Sequence, residues 1–117
     1  MRKAQKEQAL GFITLLEQAH DEIKTNIRKG NLEPVLVTLA DCQDGAIALG
    51  ELIEAYEGEG FVTISFLEKY CEVVYEIYQS IAGGENADAN KIDKALRKAL
   101  IAVGNSGLNS RVRFMVR

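Results

Sequence analysis

A chain of 117 residues with 47% hydrophobic side chains has the size of one domain and enough apolar surface for a core. One Pro, no Trp and many Ala, Leu, Ile, Glu and Lys residues favour helix over sheet and predict an all-α fold. A net charge of −3 argues against nucleic-acid binding, and no apolar run approaches the roughly 20 residues that span a bilayer.

Residues 3–29 predict one long helix, because apolar side chains recur at alternating spacings of three and four. This row consists of Ala9, Ile13, Leu16, His20, Ile23 and Ile27. Gly30 is expected to end the helix and Asn31 to cap the next one, which the pattern extends to about Tyr56. So short a connection predicts an antiparallel pair of helices.

The second helix concentrates small residues between Ala40 and Gly50. Gly45 and Gly50 each cost roughly 1 kcal/mol of helix propensity relative to Ala. Close approach of a neighbouring helix would offset that cost, so Gly45, Ala46, Gly50 and Tyr56 are predicted to form an interaction surface. Two apolar rows on this helix predict contact with more than one neighbour, either within the chain or in a second copy.

The third helix is expected to begin near residues 61–65, with Ser65 and Glu68 as a capping box or Thr63 as the cap. It should end at Gly83-Gly84 and, as the most apolar helix, lie centrally. Its expected core row consists of Ile64, Leu67, Cys71, Val74, Tyr78 and Ile81, and a second row consists of Phe66, Tyr70, Val73 and Ile77.

The fourth helix follows a polar loop at 83–90, is capped by Asn86 or Asp88 and runs to about Gly104. Its narrow apolar row predicts a place on the outside of the bundle. Residues 105–110 predict a break, and 111–117 begin with the alternation typical of a strand. A lone strand is unstable, so this tail is expected to pair with a partner chain or a following domain. We therefore expect an elongated up-and-down bundle of four helices at 1–110 and a short strand-like tail at 111–117.

Charge is distributed unevenly along the sequence. Residues 31–60 carry seven acidic side chains and no basic one, whereas residues 91–117 carry seven basic and one acidic. Attraction between the basic terminal helices and the acidic middle ones would explain the pattern within a bundle. The alternative is a site for a phosphate-rich polymer, formed by Lys94, Arg97, Lys98, Arg111 and Arg113.

Candidate catalytic chemistry depends on His20, because the chain has one histidine. Glu17 precedes it by one turn, and di-iron helical bundles use such a Glu-x-x-His pair twice in their ligand set, whereas this chain has it once. A small metal enzyme, or a thiol enzyme pairing His20 with Cys42 or Cys71, is therefore an alternative. The main interpretation is a hydrogen-bonded histidine at the core edge and two thiols in a reducing cytoplasm, with no catalytic residue and no cofactor.

Three stretches together resemble a known family. They are Ala40-Asp41-Cys42-Gln43-Asp44-Gly45-Ala46-Ile47, the segment from Ile53-Glu54 to Glu57-Gly58-Glu59-Gly60, and Leu67-Glu68-Lys69-Tyr70-Cys71-Glu72. They look like the helical N-terminal region of large Firmicutes proteins whose later portion is similar to CDP-glycerol glycerophosphotransferases. Asn105-Ser106 followed by Arg111-Val112-Arg113-Phe114 looks like the junction into that second domain.

The resemblance covers residues from about 20 to 117 and implies a role beside the assembly of cell-wall polyol phosphates such as teichoic acid. It carries over no catalytic or nucleotide-binding residue, because the family's transferase residues lie outside this region. We therefore expect a non-catalytic, cytoplasmic interaction or oligomerisation module. Its expected partner is a second copy, as in a homodimer, or a downstream transferase-like domain.

Overall fold

A computed structural model of the chain describes residues 3–56 and 61–108, with side chains described over 7–53 and 63–106. It contains the helices α1 (Lys3–Lys29), α2 (Leu32–Tyr56), α3 (Phe61–Ala82) and α4 (Ala89–Val103), and then one π-helical turn (Gly104–Leu108). The molecule measures 43 × 25 × 19 Å. The predicted all-α bundle of four helices is confirmed.

The four helices close into a ring in which α1 and α3 each contact both α2 and α4. Neighbours run antiparallel: Gly50, near the end of α2, lies opposite Ile64, near the start of α3, and Lys24, near the end of α1, reaches Asp93, near the start of α4. The expectations of a central α3 and an outer α4 are therefore wrong. The apolar face of each helix is broad enough to pack against two neighbours, so all four share one core.

Two helices end in the same left-handed glycine motif. Gly30 has φ +77°, and the amide of Asn31 donates to the carbonyl of Asn26 at 2.9 Å. Gly84 has φ +84° and is followed by the equivalent bond at 3.0 Å. This six-to-one bond satisfies a carbonyl at the helix end, and glycine adopts the positive φ without steric strain. The predicted ends of α1 and α3 are confirmed.

The start of α4 is capped by Asp88, whose Oδ1 accepts from the amides of Asn90 and Lys91 at 3.1 and 3.2 Å. Asp88 is therefore the cap, not Asn86. The predicted capping box of α3 is wrong, because that helix begins at Phe61 and Ser65 lies inside it.

The predicted break at 105–110 is wrong for residues 105–108, which continue α4 as the π-helical turn. Ser106 Oγ donates to Thr63 Oγ1 of α3 at 2.9 Å and thereby fixes this turn against the start of α3. The strand-like tail predicted at 111–117 lies outside the described residues.

Most predicted core positions are buried. They include the whole α1 row and, on α2, Val35, Leu39, Cys42, Ala46, Leu49 and Ile53. On α3 the core row is rotated from the prediction, because Tyr70 is fully buried while Cys71 is half-buried and Tyr78 is exposed. This rotation leaves part of the α2–α3 face uncovered.

Candidate functional site

An open apolar groove of about 610 Å³ runs between α2 and α3. Ala46 and Leu67 are buried at its floor, whereas Ile47 and Tyr75 are 52% and 51% exposed on its walls. The residues that line it are Gln43, Ala46, Ile47, Gly50, Glu51, Ile64, Leu67, Glu68, Cys71, Glu72 and Tyr75. Exposed large apolar side chains that gather around a concavity are typical of a binding surface.

The small residues of α2 produce the depth of this groove. A Cβ added to Gly50 would lie 3.5 Å from Ile64 Cδ1 and 3.8 Å from Leu67 Cδ1, which are ordinary contact distances. At residues 46 and 50, therefore, α2 presents little bulk toward α3. Gln43 crosses the same gap, with its Nε2 3.5 Å from the Cys71 carbonyl oxygen.

The predicted interaction surface is divided between two faces of α2. Ala46 and Gly50 line the groove, but Gly45 faces α1, where an added Cβ would lie 3.4 Å from Leu16 Cδ2. The side chain of Tyr56 lies outside the described residues. The sequence could not assign these faces, because successive residues of a helix differ in direction by about 100° and the positions of the neighbours are not encoded locally.

The rim of the groove is acidic. Glu51, Glu68 and Glu72 are exposed among its lining residues, and neither Lys nor Arg belongs to that lining. An apolar floor with an anionic rim complements a ligand that carries both apolar and cationic side chains.

His20 lies inside the bundle, where its Nε2 is 2.6 Å from the hydroxyl oxygen of the fully buried Tyr70. The two ring centroids are 5.7 Å apart. Desolvation by burial lowers the pKa of His20 to about 4, although Asp93 favours its charged form. The ring is therefore neutral near pH 7, and its hydrogen bond agrees with the predicted structural role.

The two thiols are poor nucleophiles in this fold. Burial raises the pKa of Cys42 to about 11, and a hydrogen bond with Tyr70 opposes that shift only in part. Burial also raises the pKa of Cys71. Because the thiolate is the reacting species, neither cysteine combines with His20 into an activated nucleophile–base pair.

Glu17 and His20 both line a cleft of about 520 Å³ between α1 and α4. In the described part of the chain, no group of three or more His, Cys, Asp or Glu side chains is arranged to hold a metal ion. The Glu17–His20 metal hypothesis therefore finds no ligand set among the residues that the structure describes.

Asp93 is a buried carboxylate that was not among the residues predicted from the sequence to be functional. Its Oδ2 accepts from Lys24 Nζ at 3.5 Å and from Arg97 at 3.2 Å, while Oδ1 has no hydrogen-bond partner. Its position three residues before Leu96 and seven before Leu100 indicates burial, because those spacings place it on the buried face of α4.

The basic residues proposed to bind a phosphate-rich polymer are only partly described. Lys94, Arg97 and Lys98 are exposed on α4, and Arg97 is paired with Asp93. Arg111 and Arg113 lie outside the described residues. Binding of such a polymer stays a prediction.

None of the described helices is long and apolar enough to cross a membrane. No family model matches the chain, and no curated protein or solved structure matches it. The resemblance to the region that precedes glycerophosphotransferase-like domains therefore stays a prediction.

Proposed function

We propose that this protein is a non-catalytic interaction module that binds a polypeptide segment in the α2–α3 groove. The observation that carries the proposal is the apolar groove itself, with Ile47 and Tyr75 half-exposed above a floor of small and aliphatic residues. Burial of such side chains by a partner is favourable by roughly 25 cal/mol per Å² of apolar surface.

The acidic rim of the groove favours a polypeptide segment that carries basic side chains. Glu51, Glu68 and Glu72 attract basic side chains and repel acidic ones, because no cation among the lining residues neutralises them. Two copies of the chain that met groove to groove would bring these rims together. A basic, apolar segment is therefore a better occupant than the groove of a second copy.

A titration with synthetic peptides, followed by nuclear magnetic resonance of backbone amides, tests the proposal. One peptide alternates Leu and Lys, and a control peptide of the same length and opposite charge alternates Leu and Glu. We expect the Leu/Lys peptide to shift resonances of residues that line the groove, and the Leu/Glu peptide to leave them unchanged.

Two exposed positions on α2 provide a matched pair of variants. Ile47 lines the groove, whereas Val37 is 60% exposed and lies outside its lining. Ile47→Ser should weaken binding about tenfold, because it removes apolar surface from the groove without adding a charge with which a basic ligand could pair. Val37→Ser should bind as the parent does. Equal affinity in the two variants, or no shift at millimolar peptide, would refute the proposal.

A transferase-like domain is the partner that the family resemblance suggests. Isothermal titration calorimetry with a purified glycerophosphotransferase-like domain would test that part of the proposal, again with Ile47→Ser and Val37→Ser as the pair. A homodimer is the other expected assembly, and light scattering over a concentration series measures it. A monomer at all concentrations would argue against self-association.

A further inference from the structure

We propose that the α2–α3 groove binds its partner as a basic amphipathic α-helix of about three turns, which lies between α2 and α3 as a third helix. The inference rests on the proposed function, since it names the conformation and the side-chain pattern of the polypeptide segment. The apolar stripe of that helix faces the groove, and basic side chains flank the stripe on both sides.

The lining of the groove follows the helical period along its whole length. On α2 the outer row consists of Gln43, Ile47 and Glu51, at spacings of four. On α3 the lining extends from Ile64 to Tyr75, over which a helix advances by about 16 Å. A channel of this length between two helices accommodates about 11 residues of a third helix, or three turns.

The backbone of both walls favours a helical ligand over an extended one. The lining residues belong to the interior of α2 and α3, where amides and carbonyls already bond within their own helix. An extended segment would bring its own amides and carbonyls onto an apolar floor that offers them few partners, which is costly. A helix satisfies these groups internally and presents only side chains to the groove.

The small residues of α2 permit close approach of such a helix. Ala46 and Gly50 lie about one turn apart on the groove side of α2, and Gly50 has no side chain. Ile47 and Tyr75, which are 52% and 51% exposed, stand on opposite walls, where the apolar stripe would cover them. Side chains of the bound helix can therefore fit between the two walls as ridges fit into grooves.

The acidic side chains of the rim determine where the bound helix carries its charge. Glu68 and Glu72 lie about one turn apart on α3, and Glu51 lies on the opposite wall, on α2. All three are exposed, and the lining contains neither Lys nor Arg. Basic residues on both flanks of an apolar stripe, spaced three or four apart, would meet these carboxylates.

Two peptides of identical Leu and Lys content test the conformation. In one, Leu recurs at spacings of three and four, which is the helical period; the other alternates Leu and Lys, which is the period of a strand. We expect amide titrations to give the helix-period peptide at least about tenfold higher affinity, because only this peptide gathers its Leu side chains on one face of a helix. Carbon-13 shifts of the labelled peptide should be helical in the bound state.

The outcomes separate this inference from the proposed function. Equal affinities, a preference for the alternating peptide, or extended carbon-13 shifts in the bound state would overturn the inference, while binding of a basic, apolar segment in the groove would stand. If neither peptide shifts the resonances of the groove at millimolar concentration, the inference and the proposed function both fail.

Proline substitutions in the helix-period peptide provide a second readout. A proline in place of a central, outward-facing Lys breaks the helix without changing the apolar stripe, and it should weaken binding roughly a hundredfold. A proline in place of a Lys at the first position makes the same change in composition but is tolerated in the first turn, so the affinity should be unchanged. Equal affinity of the two proline peptides would overturn helical binding.

On the protein, Gly50→Leu and Gly11→Leu form a matched pair. A Cβ added at Gly11 meets no atom within 4 Å, and this position lies on α1, outside the lining of the groove. Gly50→Leu fills space that the bound helix needs and should weaken binding of the helix-period peptide about tenfold, whereas Gly11→Leu should bind it as the parent does. Equal affinity in the two variants would overturn the placement of the helix over Ala46 and Gly50.

Discussion

At the scale of single residues, His20, Tyr70 and Cys42 form a small polar cluster inside an apolar core. Tyr70 lies between the other two: its hydroxyl oxygen is 2.6 Å from His20 Nε2, and its interaction with the Cys42 thiol partly opposes the rise in the pKa of that thiol. Burial makes each charged form costly: it lowers the pKa of His20 to about 4 and raises the pKa of Tyr70 above its usual range. The cluster therefore stabilises the fold in its neutral state and is poorly suited to acid–base catalysis.

The shift at His20 predicts a dependence of stability on pH. In the unfolded chain the imidazole has a pKa of about 6.5, so below that pH the unfolded state binds a proton that the folded state does not. The free energy of unfolding should therefore fall by about 2 kcal/mol between pH 7 and pH 5, with further loss down to about pH 4. Urea denaturation at several pH values measures it.

His20→Gln is the control for this prediction, because glutamine can still hydrogen-bond to Tyr70 and does not titrate. Its stability should change much less between pH 7 and pH 5. If the variant and the parent lose the same stability over that range, other groups are responsible and the assignment to His20 is wrong.

At the scale of elements, the packing of α2 shows what the small residues between Ala40 and Gly50 face. The expectation of a close helix approach is met only in part. Gly45 is opposite the buried Leu16 at 3.4 Å, whereas Gly50 is opposite Ile64 at 3.5 Å on the edge of the open groove. A methyl group at either position would contact the ends of side chains and no backbone atom. Because side chains can move more easily than a backbone, a residue larger than glycine is easier to accommodate here than at a close contact between two backbones.

Substitutions at the two glycines should therefore differ. Gly50→Ala should stabilise the protein by about 0.5–1 kcal/mol, because it raises helix propensity and its Cβ meets only ordinary contacts. Gly45→Leu should destabilise it by about 1–3 kcal/mol, because the added atoms press on the core side chain of Leu16. Gly50→Leu should be tolerated better, since its side chain can extend along the groove. Thermal and urea unfolding compare the three, and equal losses for the two leucine variants would contradict the assignment of faces.

At the scale of the whole molecule, the uneven charge of the sequence predicts attraction between the terminal helices and the middle ones, but the ion pair between helices joins the two terminal helices, α1 and α4. Asp93, the one acidic residue between 91 and 117, pairs with Lys24 of α1 and with Arg97 of its own helix α4. Lys24 makes the contact between helices and has a side chain only 27% exposed, whereas Arg97 pairs within α4 and is 59% exposed. The first of these pairs closes the ring of helices.

Lys24→Met should therefore reduce the free energy of unfolding by roughly 1–2 kcal/mol, because it leaves the buried Asp93 with less compensation. Arg97→Met should cost about 0.3–0.5 kcal/mol, as expected of an exposed pair one turn apart. Urea denaturation at low and high salt measures both. A larger loss for Arg97→Met than for Lys24→Met would contradict this order.

Local sequence patterns predict the helices and most of the core. The spacing of apolar residues in α1 and α2 identified their buried faces, and Gly30 and Gly84 marked helix ends, because helix period and positive φ are local properties. For the cap of α4, the sequence left a choice between Asn86 and Asp88, because either side chain can accept hydrogen bonds from the first amides of a helix. The strand-like tail and the family resemblance stay predictions.

Which faces meet depends on how the helices pack against one another. That packing places Tyr70 in the core row of α3, buries Asp93 beside Lys24, continues α4 as a π-helical turn, and puts Gly45 and Gly50 on different sides of α2. These outcomes depend on contacts between residues far apart in the chain, which no local pattern encodes. The α2–α3 groove is such an outcome, because small residues on one helix become a binding surface only where the neighbouring helix leaves them uncovered.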